Sequence, residues 1–224
     1  LVRHFVDSAV FAVGAKSLDW DRERFHDGGK LGRWRRGFWR VWRNYDLPAG
    51  TSPEGLELPS FYTPGGFAAF DRNKWAELGG LDELFRPFNW EDTDICYRAL
   101  KRGWKVLYEP SSVVYHRPNT TISGGAFRRG YVRYISRRNR IFFHWKNLTD
   151  SRMLTEHILF LALSLPLSLL RLDFPAVGAV FGALGSLGKI RQRRREEQAA
   201  AVVTDRELQR RFEAFPGDAK VEIR

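Results

Sequence analysis

Two adjacent carboxylates, Glu91 and Asp92, follow an aromatic loop containing Phe85, Pro87, Phe88 and Trp90 and open a stretch with helical patterning. A carboxylate placed there can take a proton from an attacking hydroxyl as a general base. The same pair in a first helical turn is also favoured by the helix dipole alone, and Asp94 reads equally well as a cap or an ion-pair partner. The residues by themselves leave both uses open. Gly65 and Gly66 permit positive φ and close backbone approach to a ligand, or make a plain turn before a strand. Arg137, Arg138 and Arg140, with Asn139 among them, carry guanidinium forks that match phosphate oxygens, or else form a solvated or headgroup-facing surface. His116 ends an apolar strand, where a single histidine is ordinarily a satisfied core or surface residue.

The elements that must position these groups are legible from apolar spacing. Residues 9–15 read as a buried strand, followed by a polar loop over 17–30. Residues 33–43 place Trp34, Phe38 and Val41 or Trp42 at helical spacing among arginines, which predicts a short interfacial helix or a loop packed on the core. Residues 49–59 are Pro-, Gly- and Ser-rich and read as a connection. A loop through Gly65 and Gly66 leads to a buried strand at 67–70. Asp71 or Asn73 can cap a short helix that Gly79 and Gly80 end. The helix opened by Glu91 runs to about Arg102, with Ile95, Ala99 and Leu100 on one face and Gly103 beyond it. Strands follow at 104–108 and 112–115, then a long basic amphipathic helix over 124–146.

Composition changes sharply after His157. Residues 158–170 are almost wholly apolar, Arg171 and Asp173 interrupt, and 174–190 are apolar again but dotted with Gly and Pro. Neither piece offers about 20 uninterrupted apolar residues, so a helical hairpin dipping into one leaflet is expected, with two short tilted spans as the alternative. Residues 189–215 read as a charged helical tail on the surface. The formal net charge is +11, which favours an anionic partner. The arginines cluster at 33–43, 128–140 and 191–195 beside aromatic or apolar sequence, a pairing suited to headgroup depth at an anionic membrane surface. The single Cys96 excludes an intramolecular disulfide and Cys-rich zinc sites, consistent with a cytosolic face.

The fragments Gly-Gly-Phe-Ala-Ala-Phe-Asp-Arg (65–72), Leu-Gly-Gly-Leu-Asp-Glu-Leu-Phe (78–85), Trp-Glu-Asp-Thr-Asp-Ile-Cys-Tyr-Arg (90–98), Gly-Trp-Lys-Val-Leu-Tyr-Glu-Pro (103–110) and Val-Val-Tyr-His (113–116) occur in order. Together they resemble the second half of the catalytic domain of family-2 (GT-A type) glycosyltransferases, over roughly residues 1–150. The resemblance implies an α/β fold: an incomplete GT-A (Rossmann-like) domain at 1–150, an apolar membrane-associating hairpin at 151–190 and a charged helical tail at 191–224. It implies Asp92 as the base of an inverting transfer, with Glu91 orienting the acceptor or the helix start. Gly65, Gly66, Trp90, Arg137 and Arg138 are the expected substrate-binding residues. His116 would join an Asp-X-Asp motif in holding a divalent metal, Mg or Mn, that neutralises charge on the leaving diphosphate. That motif and the nucleotide-binding half are expected upstream of Leu1, so most metal ligands would come from there. Asp19-Trp20-Asp21 follows the wrong strand and reads as coincidence.

The expected activity is transfer of a hexose or deoxyhexose from a nucleotide-sugar donor to a lipid-linked or polysaccharide acceptor at the cytoplasmic face of the cell membrane. A basic membrane- or nucleic-acid-binding protein without catalysis and a degenerate transferase scaffold are the alternatives. Carboxylates in the aromatic loop would repel nucleic-acid phosphates, which argues against that partner there.

Overall fold

A computed structural model describes residues 1–117, 127–218 and 222–223. The chain is mixed α/β, with strands in its first half and a bundle of helices in its second. Strand β1 (Val10–Asp19) is central, and its run from Val10 to Ala15 is buried on both faces, which explains the lack of polar alternation. The short strands β2 (Phe25–Asp27) and β5 (Ala68–Phe70) pair antiparallel with it. Strand β6 (Lys105–His116) pairs with it in parallel. The two strands expected at 104–108 and 112–115 are thus one. Its register shifts opposite Ala15 and Lys16, where Pro110 lacks a ladder donor.

The arginine and tryptophan stretch is neither a helix nor a loop. It forms a β-hairpin of β3 (Gly29–Arg35) and β4 (Phe38–Asp46), to which the short β7 (Glu222–Ile223) adds. Arg36 and Gly37 both have positive φ, 51° and 72°, the geometry that a two-residue hairpin turn needs. Leu31, Phe38 and Trp39 are buried while Arg33, Arg35 and Arg40 are exposed, so the hairpin packs part of each strand on the core and leaves these arginines in solvent. The polar loop expected over 17–30 is correspondingly replaced in part by the end of β1, by β2 and by the start of β3.

Helix α1 (Arg72–Glu77) is capped by Asp71, whose carboxylate accepts from Lys74 N, and Gly79 and Gly80 follow it with positive φ. Helix α2 (Glu91–Lys101) starts on the carboxylate pair. Helix α3 is Arg129–Asn147; the expected start at residue 124 lies outside the described residues. Helices α4 (Ser151–Leu170), α5 (Phe174–Gly185) and α6 (Leu187–Ala200) follow. A Cβ at Gly182 would stand 2.7 Å from Tyr134 Oη, so this small residue lets α5 lie close on α3. Ala179 and Ala183 are buried in the same contact. By length and composition α4 could cross a membrane, whereas α5 has only 12 residues. The outward faces of both are strongly apolar: Leu163 is 79 % exposed, Leu170 82 % and Phe174 66 %.

The charged tail divides into α6 and α7 (Asp205–Asp218), and α7 returns to the core instead of lying free at the surface. It packs on β3 and α2, burying Leu208 and Phe212. At its head the buried Asp205 accepts from Tyr97 Oη (2.5 Å), Lys101 Nζ (2.9 Å), Thr149 N (2.7 Å) and Asp150 N (2.7 Å), tying three helices together. Phe11, Trp39, Ile95, Phe142, Ala179 and Phe212 belong to one continuous apolar cluster. Residues from each of the three sequence segments therefore share a core.

A cleft around Asp92

The loop before α2 takes an unusual path. Asn89 and Trp90 both occupy the left-handed region, with φ of 70° and 77°, conformations that cost a bulky residue energy unless the surroundings enforce them. The buried Asn139 of α3 supplies that enforcement. Its Nδ2 donates to the carbonyls of Phe85 (2.6 Å), Phe88 (2.9 Å) and Asn89 (3.0 Å). Arg138 adds a bond from Nη2 to the carbonyl of Arg86 (2.6 Å) and donates to Asn139 Oδ1 (2.9 Å). The loop thereby delivers Trp90, Glu91 and Asp92 to one wall of a cleft of about 500 Å³.

Asp92 Oδ1 accepts from Thr93 N at 2.7 Å, and the carboxylate has no ion-pair partner among the described residues. Burial and the charge of Glu91 together raise its pKa to about 6. Lys30 pulls the other way but is itself buried and paired with Asp27 at 2.6 Å. A carboxyl with that proton affinity is ionised at neutral pH and still a competent proton acceptor, as a general base requires. Glu91 Oε2 is buried without a hydrogen-bond partner among the described residues, so its unsatisfied oxygen also belongs to the cleft region.

The opposing walls come from β4, the connection to β5 and α3, through Arg40, Tyr62, Ser136 and Arg140. Burial and the charge of Asp92 raise the pKa of the Tyr62 hydroxyl, which keeps it protonated. Arg140 lies 4.0 Å from the Phe38 ring centre and 5.8 Å from that of Trp90. Sequence reading singled out none of Arg40, Tyr62 and Ser136. Arg40 and Tyr62 lie outside the local pattern around Glu91, and only folding of the hairpin against α2 brings them in.

Four of the residues chosen from sequence, Trp90, Glu91, Asp92 and Arg140, thus line one cleft. Gly65 and Gly66 do not line this cleft; they form an exposed single 3-10 turn where a Cβ would meet no atom within 4 Å. Phe67, which follows them, lies with its ring 5.8 Å from that of His116. His116 stands in register with Asp19 and 5.3 Å, ring to ring, from His26, whose Nδ1 is 3.3 Å from Asp19 Oδ1. Among the described residues no group of three His, Cys, Asp or Glu side chains converges as a metal-binding set, so His116 and its neighbours do not amount to a complete one. Arg137 pairs with Asp173 at 2.5 Å and lies outside the cleft, as does Arg138.

Asp94, two residues beyond Asp92, has a different environment. It is fully buried and accepts from Arg98 Nε (2.8 Å), Lys146 Nζ (2.9 Å) and Asn147 Nδ2 (2.7 Å). Arg98 in turn holds the carbonyls of Leu78 and Gly80, and Lys146 holds Asp82. Asp94 is therefore the ion-pair partner that fixes the cleft's frame. Comparison with protein-family models and with curated proteins finds no match for this chain.

Proposed function

We propose that this chain forms the acceptor side of an inverting GT-A (Rossmann-like) glycosyltransferase in which Asp92 is the general base. The observation that carries the reading is a carboxylate free of ion pairing among the described residues, with raised proton affinity, on the wall of a cleft of about 500 Å³. A site of that volume suits a sugar unit of an acceptor. In the reaction, the acceptor hydroxyl oxygen bonds to the anomeric carbon of a nucleotide sugar. The bond from that carbon to the diphosphate breaks, and the hydroxyl proton passes to Asp92. A single displacement of this kind inverts the anomeric centre. Trp90 offers an apolar face to the acceptor sugar, and Tyr62 and Ser136 offer hydroxyls. A divalent metal, Mg or Mn, would neutralise the leaving diphosphate; His116 could give it one ligand, with the others from outside the described residues.

The order of the five motif fragments supports the same reading. So does the apolar α4 and α5 surface flanked by arginines, which suits a cytoplasmic membrane face. The 12-residue α5 is about 18 Å long, too short for a hydrocarbon core of about 30 Å, which favours a hairpin seated in one leaflet. The exposed positions allow a direct check. Leu163→Glu combined with Leu170→Glu is expected to lower recovery on floated anionic vesicles severalfold without changing the far-ultraviolet circular dichroism; unchanged flotation would place the membrane contact elsewhere.

Transfer is tested with membranes from cells expressing the protein, a panel of radiolabelled nucleotide sugars, and label followed into lipid and polymer fractions. Because the ionised form of Asp92 acts, kcat/KM should fall about tenfold per pH unit below about 6 and level off above it. A rate independent of pH between 5 and 8 would remove Asp92 from the chemistry.

A further inference from the structure

A second hollow, of about 200 Å³, lies between α3, α4 and α5. Its walls are Phe160, Leu161, Leu165, Ala179 and Val180. Ser164 and Ser168, which also face it, donate their hydroxyls to carbonyls of their own helix, so the lining offers little to a polar ligand. Arg40 and Arg140 line both this hollow and the Asp92 cleft, and the two spaces therefore meet at a pair of guanidinium groups.

Those groups are uncompensated. Neither Arg40 nor Arg140 has a carboxylate partner among the described residues, and Arg140 Nε is buried with no hydrogen-bond partner. Arg137, at the edge of the hollow, shares its carboxylate partner among the described residues, Asp173, with Arg133. Burial and the charges of Arg40 and Arg137 lower the pKa of Arg140 to about 10, a measure of how poorly its charge is balanced. An apolar chamber that ends in unpaired arginines fits an amphiphile with a long aliphatic chain and an anionic head.

We propose that the acceptor is a sugar carried on a long-chain lipid diphosphate: its tail enters the α3–α4–α5 hollow, its phosphates lie on Arg40 and Arg140, and its terminal hydroxyl reaches Asp92. This rests on the reading of Asp92 as base and narrows the acceptor to the lipid-linked class. The base itself favours a hydroxyl nucleophile over a phosphate one. A phosphate oxygen is already anionic, needs no proton removed and would be repelled by Asp92 and Glu91. The remainder of the tail continues along the exposed apolar side of α4 into the leaflet.

The test uses the full chain in phosphatidylcholine nanodiscs with farnesyl diphosphate bearing a diazirine at the tail end as the probe. After photolysis, mass spectrometry should find label at Phe160, Leu161 or Leu165 of α4 and in the α5 segment 176–180. Unlabelled farnesyl diphosphate should compete, whereas farnesol and phosphatidylglycerol should not. Arg140→Gln and Arg40→Gln should each reduce labelling at least tenfold. Arg40 is exposed, so its variant remains informative if that of the half-buried Arg140 misfolds. Equal competition by phosphatidylglycerol, or label confined to outward positions such as Leu163 and Leu170, would overturn the proposal. Asp92→Asn should leave labelling unchanged. Specific labelling together with normal transfer by Asp92→Asn would refute the base and keep the lipid site. Absent labelling together with lost transfer would refute the lipid site and keep the base.

Discussion

Asp92→Asn is expected to lower sugar transfer by about 10²- to 10⁴-fold, the range that a positioned general base contributes. The amide keeps an oxygen for Thr93 N and nearly the same volume, so the cleft should keep its shape. The same substitution should make the protein more stable at neutral pH. Folding raises the Asp92 pKa from an ordinary carboxylate value to about 6, so the folded state binds this proton more tightly than the unfolded state. The associated stability is fully present below the ordinary carboxylate range and is lost as pH rises through about 6. Above that, the ionised carboxylate costs the fold up to about 3 kcal/mol, which Asn removes. A loss of transfer with a Tm raised by several degrees is the combined expectation, followed by radiolabel incorporation and calorimetry at pH 7.5. A lowered Tm would show that the carboxylate holds the fold together.

Asp94→Ala should do the opposite. It leaves the buried Arg98 and Lys146 facing one another without their shared carboxylate, and removal of one partner from a buried charged network costs about 3–5 kcal/mol. Asp94→Asn should be nearly as severe, because the amide turns a donor toward two cations. Denaturant midpoints read the effect directly; a change below about 1 kcal/mol in the alanine variant would contradict the assignment. Two carboxylates in one helical turn are thus separable: one is expected to govern turnover and the other folding.

Much of this frame could be read locally. The Asp71 cap, the glycines after α1, the extent of α2 and the placement of Glu91 and Asp92 in its first turn follow from near-neighbour patterns that the surrounding fold reinforces. The hairpin did not follow, because Trp34, Phe38 and Val41 satisfy a helical spacing and burial along the two strands runs in blocks without a two-residue period to mark them. Arg36-Gly37, a two-residue turn between aromatic runs, was the available signal. The return of α7 also had a signal in Leu208, Phe212 and Phe215, spaced as an apolar helix face within the charged sequence. Of the residues facing Asp92, Arg140 was legible as a guanidinium suited to phosphate, whereas Arg40 and Tyr62, from β4 and a connecting segment, had no such signal and only tertiary packing brings them in. Asp94 was legible as a possible ion-pair partner, and it is one, but its position did not identify Arg98, Lys146 and Asn147 as the donors that enclose it.

The most direct test is single-turnover transfer by the full-length protein and its Asp92→Asn variant, with nucleotide-sugar affinity measured on the same preparations. The account predicts unchanged donor affinity and a rate reduced at least a hundredfold in the variant. Transfer at near-normal rate by a folded Asp92→Asn protein would contradict it.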